Sequence, residues 1–302
     1  MNAPSEEALL FDCDDDQIVA ILHRAVTVDR YPGILIVVGG PQYRVGSHRQ
    51  FVLIARALAA AGFPVMRFDY RGMGDSGGDP RTFEEISSDI HAAIQAFSES
   101  VPGLPGVVVW GLCDAASAAL LHATSSPEVC ALILVNPWVR TESGEAKAYL
   151  RQYYGRRLLQ RSFWIKLVSG QLNVLSSVVD FAKKFRLSRR SALTVSGVES
   201  PHFVTRMLSG LDEFDRPVLV LISDRDLTAA EFTTLCSEDK RWNRASAKPN
   251  VTIVTMKDAD HTFSHRAALD AAVRQCVNWL RDLPAGAGFA AMHRGVLSGS
   301  VD

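Results

Sequence analysis

The sequence predicts a doubly wound α/β fold, in which helices cover both faces of a mostly parallel β-sheet. Three observations support this prediction. Short runs rich in Val, Ile and Leu alternate with longer segments of helical periodicity along most of the chain. Most of these runs are continuously apolar rather than alternating, which is typical of strands buried on both faces of a parallel sheet. The loops between the predicted elements are short, as in α/β units.

The predicted elements follow one another along the chain with one interruption. Strands are expected at residues 17–23, 34–38, 64–70, 107–112, 131–136, 217–222 and 250–256. Helices are expected at residues 49–61, 84–98, 113–124, 229–244 and 265–281. Residues 140–212 contain no convincing strand and are rich in Arg, Tyr, Leu and Val. We therefore expect a core made of residues 1–139 and 213–283, a helical cap insertion at residues 140–212, and a flexible tail at residues 284–302.

The composition is that of an ordinary globular protein. Hydrophobic residues make up 47% and charged residues 22% of the 302 positions. Five cysteines without paired spacing argue against a disulfide framework or a zinc site. The N-terminus lacks the features of a signal peptide, and no apolar run is long enough for a transmembrane helix. We therefore expect a cytoplasmic protein with no metal and no cofactor.

The most informative segment runs from residue 107 to residue 116. An apolar, strand-like stretch ends in Gly-x-Cys-x-Ala, with Cys113 at its centre, and passes directly into an alanine-rich helix. This layout is typical of a nucleophile elbow, a sharp strand-to-helix turn that needs small neighbours such as Gly111 and Ala115. The N-terminus of the helix stabilises a thiolate at this position. Cys113 is therefore the candidate nucleophile, in a place where serine is more usual.

A thiolate nucleophile needs a base, and the base needs a carboxylate that orients it. Candidates for both follow the last two predicted strands, at the edge of the sheet where ligands bind in such folds. His261 is the predicted base, and His265, at the start of the following helix, is the nearest alternative. Asp226 is the preferred acid, although periodicity alone does not separate it from Asp224.

The order of nucleophile, acid and histidine along the chain resembles that of the α/β-hydrolases, over roughly residues 17–283. Residues 68–76 are similar to the Asp-x-Arg-Gly-x-Gly-x-Ser loop of that superfamily, which we expect to shape the chain without taking part in chemistry. Residues 39–50 and 111–117 more narrowly resemble the exosortase A system-associated hydrolase 1 family. That family is encoded beside exopolysaccharide and protein-sorting genes in bacteria. The resemblance implies such a setting but defines no substrate.

An α/β-hydrolase also needs backbone N–H groups that stabilise the oxyanion formed during acyl transfer. The N–H of Asp114, directly after the nucleophile, is one expected donor. The other normally comes from the loop after residue 38, but Pro41 in this loop has no N–H. Gln42 is the preferred replacement, and Gly40 is the alternative. The residues expected to contact substrate at the mouth of the pocket are Gly40, Tyr43 and Arg44.

These residues together predict acyl chemistry on a small-molecule substrate. A Cys–His pair exists as thiolate and imidazolium near neutral pH, and the thiolate attacks an ester or thioester to give an acyl-cysteine. This intermediate can pass its acyl group to water, or to an alcohol or amine. Hydrolysis and acyl transfer to an exopolysaccharide both remain open at this point.

The segment from residue 140 to residue 190 carries 12 Lys and Arg residues against 3 Asp and Glu. One interpretation is a solvated helix face. Other interpretations are a surface for an anionic acyl donor such as a CoA thioester, for an anionic polysaccharide or lipid-linked sugar, or for the inner face of an anionic membrane. A non-catalytic binding protein that uses this basic cap is a further alternative. We expect no nucleic-acid partner, since no recognised binding module accompanies the charge.

Overall fold

The computed structural model of the chain describes residues 5–25, 31–40, 42–122, 126–139 and 202–283. Within these residues, eight strands form one sheet in the order β1-β2-β4-β3-β5-β6-β7-β8. The strands are β1 (Glu6–Cys13), β2 (Asp16–His23), β3 (Gly33–Val37), β4 (Val65–Phe68), β5 (Val107–Leu112), β6 (Val129–Val135), β7 (Val218–Ser223) and β8 (Val251–Met256). The pairs β1–β2 and β2–β4 are antiparallel, and all other pairs in the sheet are parallel.

The helices in the described residues cover both faces of this sheet. They are α1 (Gln50–Ala60), α2 (Ser87–Ser100), α3 (Asp114–His122), α4 (His202–Glu213), α5 (Leu227–Glu238), α6 (Lys240–Ser246) and α7 (Arg266–Arg281). None of these helices is long and apolar enough to cross a membrane.

The central strands explain why the predicted runs are continuously apolar. Successive side chains of a strand point to opposite faces of the sheet. In β5, Val107 and Val109 join the apolar cluster that contains residues of α2, α3, α4 and α5. Val108 and Trp110 join the cluster that contains residues of α1 and α7. Both faces of the strand are therefore buried, and the predicted doubly wound, mostly parallel fold is confirmed.

Two elements differ from the sequence prediction. β1, which pairs with β2 at the edge of the sheet, is missed because most of its side chains are exposed and its sequence begins with two glutamates. The helix predicted over residues 229–244 is two helices, α5 and α6, separated at Asp239. The carboxylate of Asp239 accepts hydrogen bonds from the N–H groups of Arg241 (2.8 Å) and Trp242 (3.1 Å). This N-cap starts α6 and so divides the segment.

The boundary predicted for the cap insertion also changes. Most of α4 lies within the predicted insertion, yet α4 packs against α3 and contributes Met207 and Leu211 to the core. Gly210 lies so close to α3 that a Cβ atom would overlap with the carbonyl oxygen of Leu120. Residues 202–212 therefore belong with the core. The rest of the predicted cap, residues 140–201, and the predicted tail, residues 284–302, lie outside the described residues.

Candidate active site

Cys113 stands at the turn between β5 and α3. Its backbone has a φ of 63°, a left-handed conformation that residues other than glycine rarely adopt. The N–H of Cys113 donates to the carbonyl of Val135 (2.9 Å), and the carbonyl of Cys113 accepts from the N–H of Ala116 (3.1 Å). A Cβ atom on Gly111 would lie 2.5 Å from the carbonyl of Ala115, so glycine is needed where strand and helix meet. The half-buried thiol is thereby held at the start of α3.

The loops that follow β7 and β8 bring Asp226 and His261 together. Nδ1 of His261 lies 2.7 Å from Oδ2 of Asp226. The same carboxylate caps α5, because it accepts hydrogen bonds from the N–H groups of Thr228 (3.2 Å) and Ala229 (3.1 Å). Asp226 is therefore buried and fixed in orientation. Asp224, the alternative acid, is exposed.

The ring of His261 also forms a hydrogen bond with the thiol of Cys113. Burial lowers the pKa of His261, but hydrogen bonds to Asp226 and Cys113 and the charges of both groups raise it, to about 10. The imidazolium is therefore the favoured form at neutral pH, as a thiolate–imidazolium pair requires. His265, the alternative base, is instead the exposed residue that precedes α7. The structure thus joins Cys113, His261 and Asp226 in one hydrogen-bonded series.

In the loop after β3, both N–H groups considered as oxyanion donors already form hydrogen bonds within the protein. The N–H of Gly40 donates to Oδ2 of Asp114 (2.8 Å), and the N–H of Gln42 donates to the carbonyl of Gly40 (2.8 Å). Both candidates for the first oxyanion donor therefore already have an acceptor. The other carboxylate oxygen of Asp114 accepts from the N–H of Ala115 (3.0 Å). Burial raises the pKa of Asp114, while these hydrogen bonds and the charge of His261 oppose that rise.

Of the three residues expected to contact substrate, Gly40 and Tyr43 leave space for a ligand, and Arg44 is half-buried and engaged in ion pairs. The side chain of Tyr43 is 46% exposed, and a Cβ atom on Gly40 would meet no atom within 4 Å. The guanidinium of Arg44 instead forms ion pairs with the buried carboxylate of Asp69 and with Asp75 (2.7 Å). These ion pairs neutralise the charge of Arg44 and anchor the loop, and contact of Arg44 with substrate stays a prediction.

Comparison with known proteins identifies the family. Residues 34–275, which are most of the chain, match the family model described as the alpha/beta hydrolase family. The chain belongs to the alpha/beta hydrolase family. The predicted superfamily and the predicted enzyme class, a hydrolase, are therefore confirmed.

One curated relative and two solved structures illustrate the similarity. The quorum-quenching protein AidA of Acinetobacter baumannii is 26% identical to this hydrolase in an alignment 301 residues long. The alignment covers 90% of this chain and 93% of AidA. The esterase Pf2001 of Pyrococcus furiosus has a TM-score of 0.62 with 16% identity, and the match covers 93% of each chain. Est1E of Butyrivibrio proteoclasticus with bound ferulic acid has a TM-score of 0.60 with 15% identity, over 91% of this chain and 99% of Est1E. At such identities the two structures establish the fold alone.

The Asp-x-Arg-Gly-x-Gly-x-Ser loop of this hydrolase is held by hydrogen bonds within the protein. Nε and Nη2 of Arg71 donate to the two carboxylate oxygens of buried Asp89, at 3.1 and 3.0 Å. Oγ of Ser76 donates to the carbonyl of Asp69 (2.6 Å) and accepts from the N–H of Val19 in β2 (2.9 Å). These polar groups tie the loop to α2 and to the sheet, which is the shaping role expected for it.

Cys113 differs from the other four cysteines of the hydrolase. Burial raises the pKa of Cys13 and Cys130 to about 11, and the pKa of Cys236 and Cys276 to about 12. Such thiols stay protonated at neutral pH and are inert. Cys113 is half-buried and bonded to a histidine, so it is the thiol expected to react. No group of three or more His, Cys, Asp or Glu in the described residues is placed to hold a metal ion.

Two residues next to the site are not identified from the sequence. Nε2 of His48 lies 2.9 Å from Oγ1 of Thr262, the residue after His261. Nδ2 of Asn136, which follows β6 and is buried, donates to the carbonyl of His261 (3.2 Å). The one available signal was the position of Asn136, directly after an apolar strand at the edge of the sheet where ligands bind.

Proposed function

We propose that this hydrolase cleaves an ester or thioester bond through an acyl intermediate on Cys113. One observation carries the proposal: the ring of His261 contacts both the thiol of Cys113 and the carboxylate of Asp226. Covalent catalysis requires a nucleophile, a base within hydrogen-bond reach of it, and a group that orients the base. Cys113, His261 and Asp226 have the residue types and contacts for these three roles.

The reaction has two steps. The thiolate of Cys113 attacks the carbonyl carbon of the substrate and a C–S bond forms. When the tetrahedral intermediate collapses, the bond to the leaving group breaks, and the imidazolium of His261 gives its proton to the leaving alcohol or thiol. Neutral His261 then takes a proton from water, whose oxygen attacks the thioester and releases the carboxylic acid. The thiolate–imidazolium pair is restored, and Asp226 stabilises it.

The oxyanion of each tetrahedral intermediate needs N–H donors, for which we propose Asp114 and Gln42. The N–H of Asp114 directly follows the nucleophile, where the fold family has such a donor. The N–H of Gln42 is bonded to a carbonyl only two residues away, a γ-turn contact that closes a small ring. An oxyanion is a stronger acceptor than a neutral carbonyl, so the negative charge favours exchange of this bond.

Several observations support the choice of substrate and setting. Pf2001 is named an esterase and AidA a quorum-quenching protein, which supports a small-molecule ester. The motif resemblance supports a bacterial setting linked to exosortase and exopolysaccharide. The basic segment at residues 140–190 supports an anionic acyl group and contact with the inner face of the membrane, although it lies outside the described residues. Five free thiols support a reducing, cytoplasmic location.

Intact-mass spectrometry with a panel of acyl esters and acyl-CoA thioesters tests the proposal. We expect an acyl adduct on the protein and release of the free acid. Cys113→Ala removes both, whereas Cys236→Ala, the matched change at a buried thiol, leaves both unchanged. A panel that gives neither adduct nor turnover contradicts the proposal.

A second candidate is acyl transfer to a sugar hydroxyl of an exopolysaccharide. The observation that favours it is the cysteine at the elbow, because an acyl-cysteine is a thioester that reacts with alcohols and amines as well as with water. Sugar acceptors added to the acyl-CoA reaction should then divert product from the free acid to the acylated sugar. An unchanged product ratio across acceptors supports hydrolysis alone.

A third candidate is a non-catalytic protein that binds polysaccharide or membrane. The internal hydrogen bonds of Gly40 and Gln42 favour it, since they occupy two N–H groups that could otherwise bind an oxyanion. A thiol probe separates this candidate from the first two. Cys113 should react at neutral pH much faster than an ordinary exposed cysteine if it is a catalytic thiolate, and at an ordinary rate if it is not.

A further inference from the structure

We infer that Asn136 is a positioning residue that fixes the place of His261 relative to both Cys113 and Asp226. The inference rests on the proposed function, because it assumes that these three residues work together. It assigns a role to a buried residue behind the site, which acts through the backbone of the base.

Every polar atom of the Asn136 side chain is used. Oδ1 accepts a hydrogen bond from the N–H of Ser223 (2.8 Å), and Nδ2 donates to Oγ of Ser223 (3.0 Å) and to the carbonyl of His261 (3.2 Å). Ser223 is the last residue of β7 and lies three positions before Asp226. One side-chain amide therefore ties the strand that leads to the acid to the backbone of the base.

The backbone on either side of Asn136 is bonded to the nucleophile. The carbonyl of Val135 accepts from the N–H of Cys113 (2.9 Å), and the N–H of Trp138 donates to the carbonyl of Cys113 (3.3 Å). The N–H of Asn136 itself donates to the carbonyl of Leu221 in β7 (2.9 Å). Residues 135–138 thus contact the nucleophile through their main chain, and the base through a side chain. Cys113 and His261 are bonded directly to this one segment, and Asp226 is joined to it through Ser223, whose carbonyl accepts from the N–H of Asp226 (3.3 Å).

The position favours asparagine for two reasons. Asn136 has a φ of 46°, and asparagine adopts this left-handed conformation more readily than most residues. The site also requires an acceptor for the N–H of Ser223 and a donor for the carbonyl of His261, which a side-chain amide combines. Because the group is buried and fully bonded, it has one favourable orientation. Catalysis is sensitive to displacements of about 1 Å, so such a fixed attachment matters.

Asn136→Gly is the main test, because glycine keeps a positive φ without strain and removes the amide. We expect kcat to fall by about 10- to 100-fold with little change in KM, since His261 is displaced and substrate contacts are not. We also expect the pH profile of Cys113 alkylation by iodoacetamide to move to higher pH. The other four thiols are buried, so alkylation reports on Cys113. Ser223→Ala is the matched control, because it removes one acceptor of the amide but keeps the bond to His261.

Asn136→Asp is a second variant that keeps the positive φ and the acceptor for the N–H of Ser223. It places an oxygen opposite the carbonyl of His261, so we expect the same two changes in the folded protein. The inference is overturned if either variant is folded, by thermal melting, and keeps the wild-type kcat and alkylation profile. It is also overturned if Ser223→Ala shows the same losses.

The alkylation measurement needs no substrate and therefore separates this inference from the proposed function. A wild-type protein without turnover, whose alkylation profile still depends on Asn136, contradicts the proposed reaction and supports the positioning role. A wild-type protein with turnover that is insensitive to Asn136 supports the reaction and overturns the positioning role.

Discussion

Asp226→Asn separates the two tasks of this carboxylate, which pairs with His261 and caps α5. Asparagine caps helices about as well as aspartate, so one oxygen can still accept from the N–H groups at the start of the helix. The negative charge beside the imidazolium is lost. We therefore expect a large loss of thiolate reactivity at Cys113 with a small loss of stability.

The structure sets the scale of this loss. The pKa of His261 rises from 6.5 to about 10, and a shift of that size corresponds to roughly 5 kcal/mol in favour of the imidazolium. Asp226 supplies only part of this free energy, because Cys113 also contributes to the shift. In addition, 33% of the His261 side chain is exposed, so solvent screens its interaction with Asp226. A contribution of about 2 kcal/mol is the order of magnitude expected for Asp226, a partly screened charge-assisted hydrogen bond. This predicts about a 30-fold loss of the thiolate–imidazolium population.

The assay follows iodoacetamide alkylation of Cys113, together with kcat/KM on the best ester, across the pH range. In Asp226→Asn, the alkylation profile should move toward that of an ordinary thiol, and the rate at neutral pH should fall about 30-fold. Stability provides a second readout. Because the pKa of His261 is raised on folding, its contribution is complete below about 6.5 and is lost as the pH rises through about 10. Because the proposed thiolate has already lost its proton, this loss begins only where a free thiol ionises, so wild type should lose stability mainly between about 8.5 and 10, and the variant should lose less.

Asp239→Asn is the matched control, because Asp239 caps α6 as Asp226 caps α5. It should have the same small effect on stability and no effect on alkylation. The reasoning is refuted if Asp226→Asn keeps the wild-type alkylation profile. It is equally refuted if Asp239→Asn changes that profile, since the effect would then come from helix capping and not from charge.

Three further predictions concern the oxyanion loop and the core. Asp114→Asn keeps an acceptor for the N–H of Gly40 but removes a negative charge beside the proposed oxyanion. The value of kcat/KM for a neutral ester should therefore rise about threefold at fixed ionic strength, and a fall would contradict this prediction. Gly210→Ala should lower the free energy of unfolding by about 2 kcal/mol, because its methyl group overlaps with Leu120, and an unchanged melting temperature would argue against the close packing of α4. Asp89→Asn should cost about 3 kcal/mol in denaturant unfolding by breaking a buried ion pair, while the alkylation rate stays at the wild-type value.

The sequence predicts those parts of the molecule that depend on neighbouring residues. The step from β5 into α3 is an example, because a buried strand, a small residue before the turn and a helix-forming run after it are all local requirements. β1 fails this test. Because most of its side chains are exposed, its sequence lacks the hydrophobic pattern that indicates a buried strand. The break at Asp239 is missed because an N-cap inside a helical pattern looks like one more polar residue.

Contacts between distant residues explain the remaining differences. Arg44 looks free in the sequence, but its partner Asp69 is 25 positions away and buried. Asn136 bonds to residues 87 and 125 positions further along the chain. Periodicity reports which face of an element is buried and carries no information about which distant polar group completes a hydrogen bond. Candidate residues at strand ends are therefore easier to recognise from the sequence than the distant groups that hold them in place.

The environment of His261 suits a cysteine at the elbow better than a serine. A serine hydroxyl stays protonated, so its base must be neutral to accept the proton during attack. The carboxylate of Asp226 raises the pKa of His261 and so favours the imidazolium, which cannot accept that proton. A thiol ionises far more easily than a hydroxyl, and the hydrogen bond and charge of Cys113 are among the causes that raise the pKa of His261. In the proposed mechanism the replacement of serine by Cys113 is thus coupled to the strong pairing of His261 with Asp226, and neither feature is independent of the other.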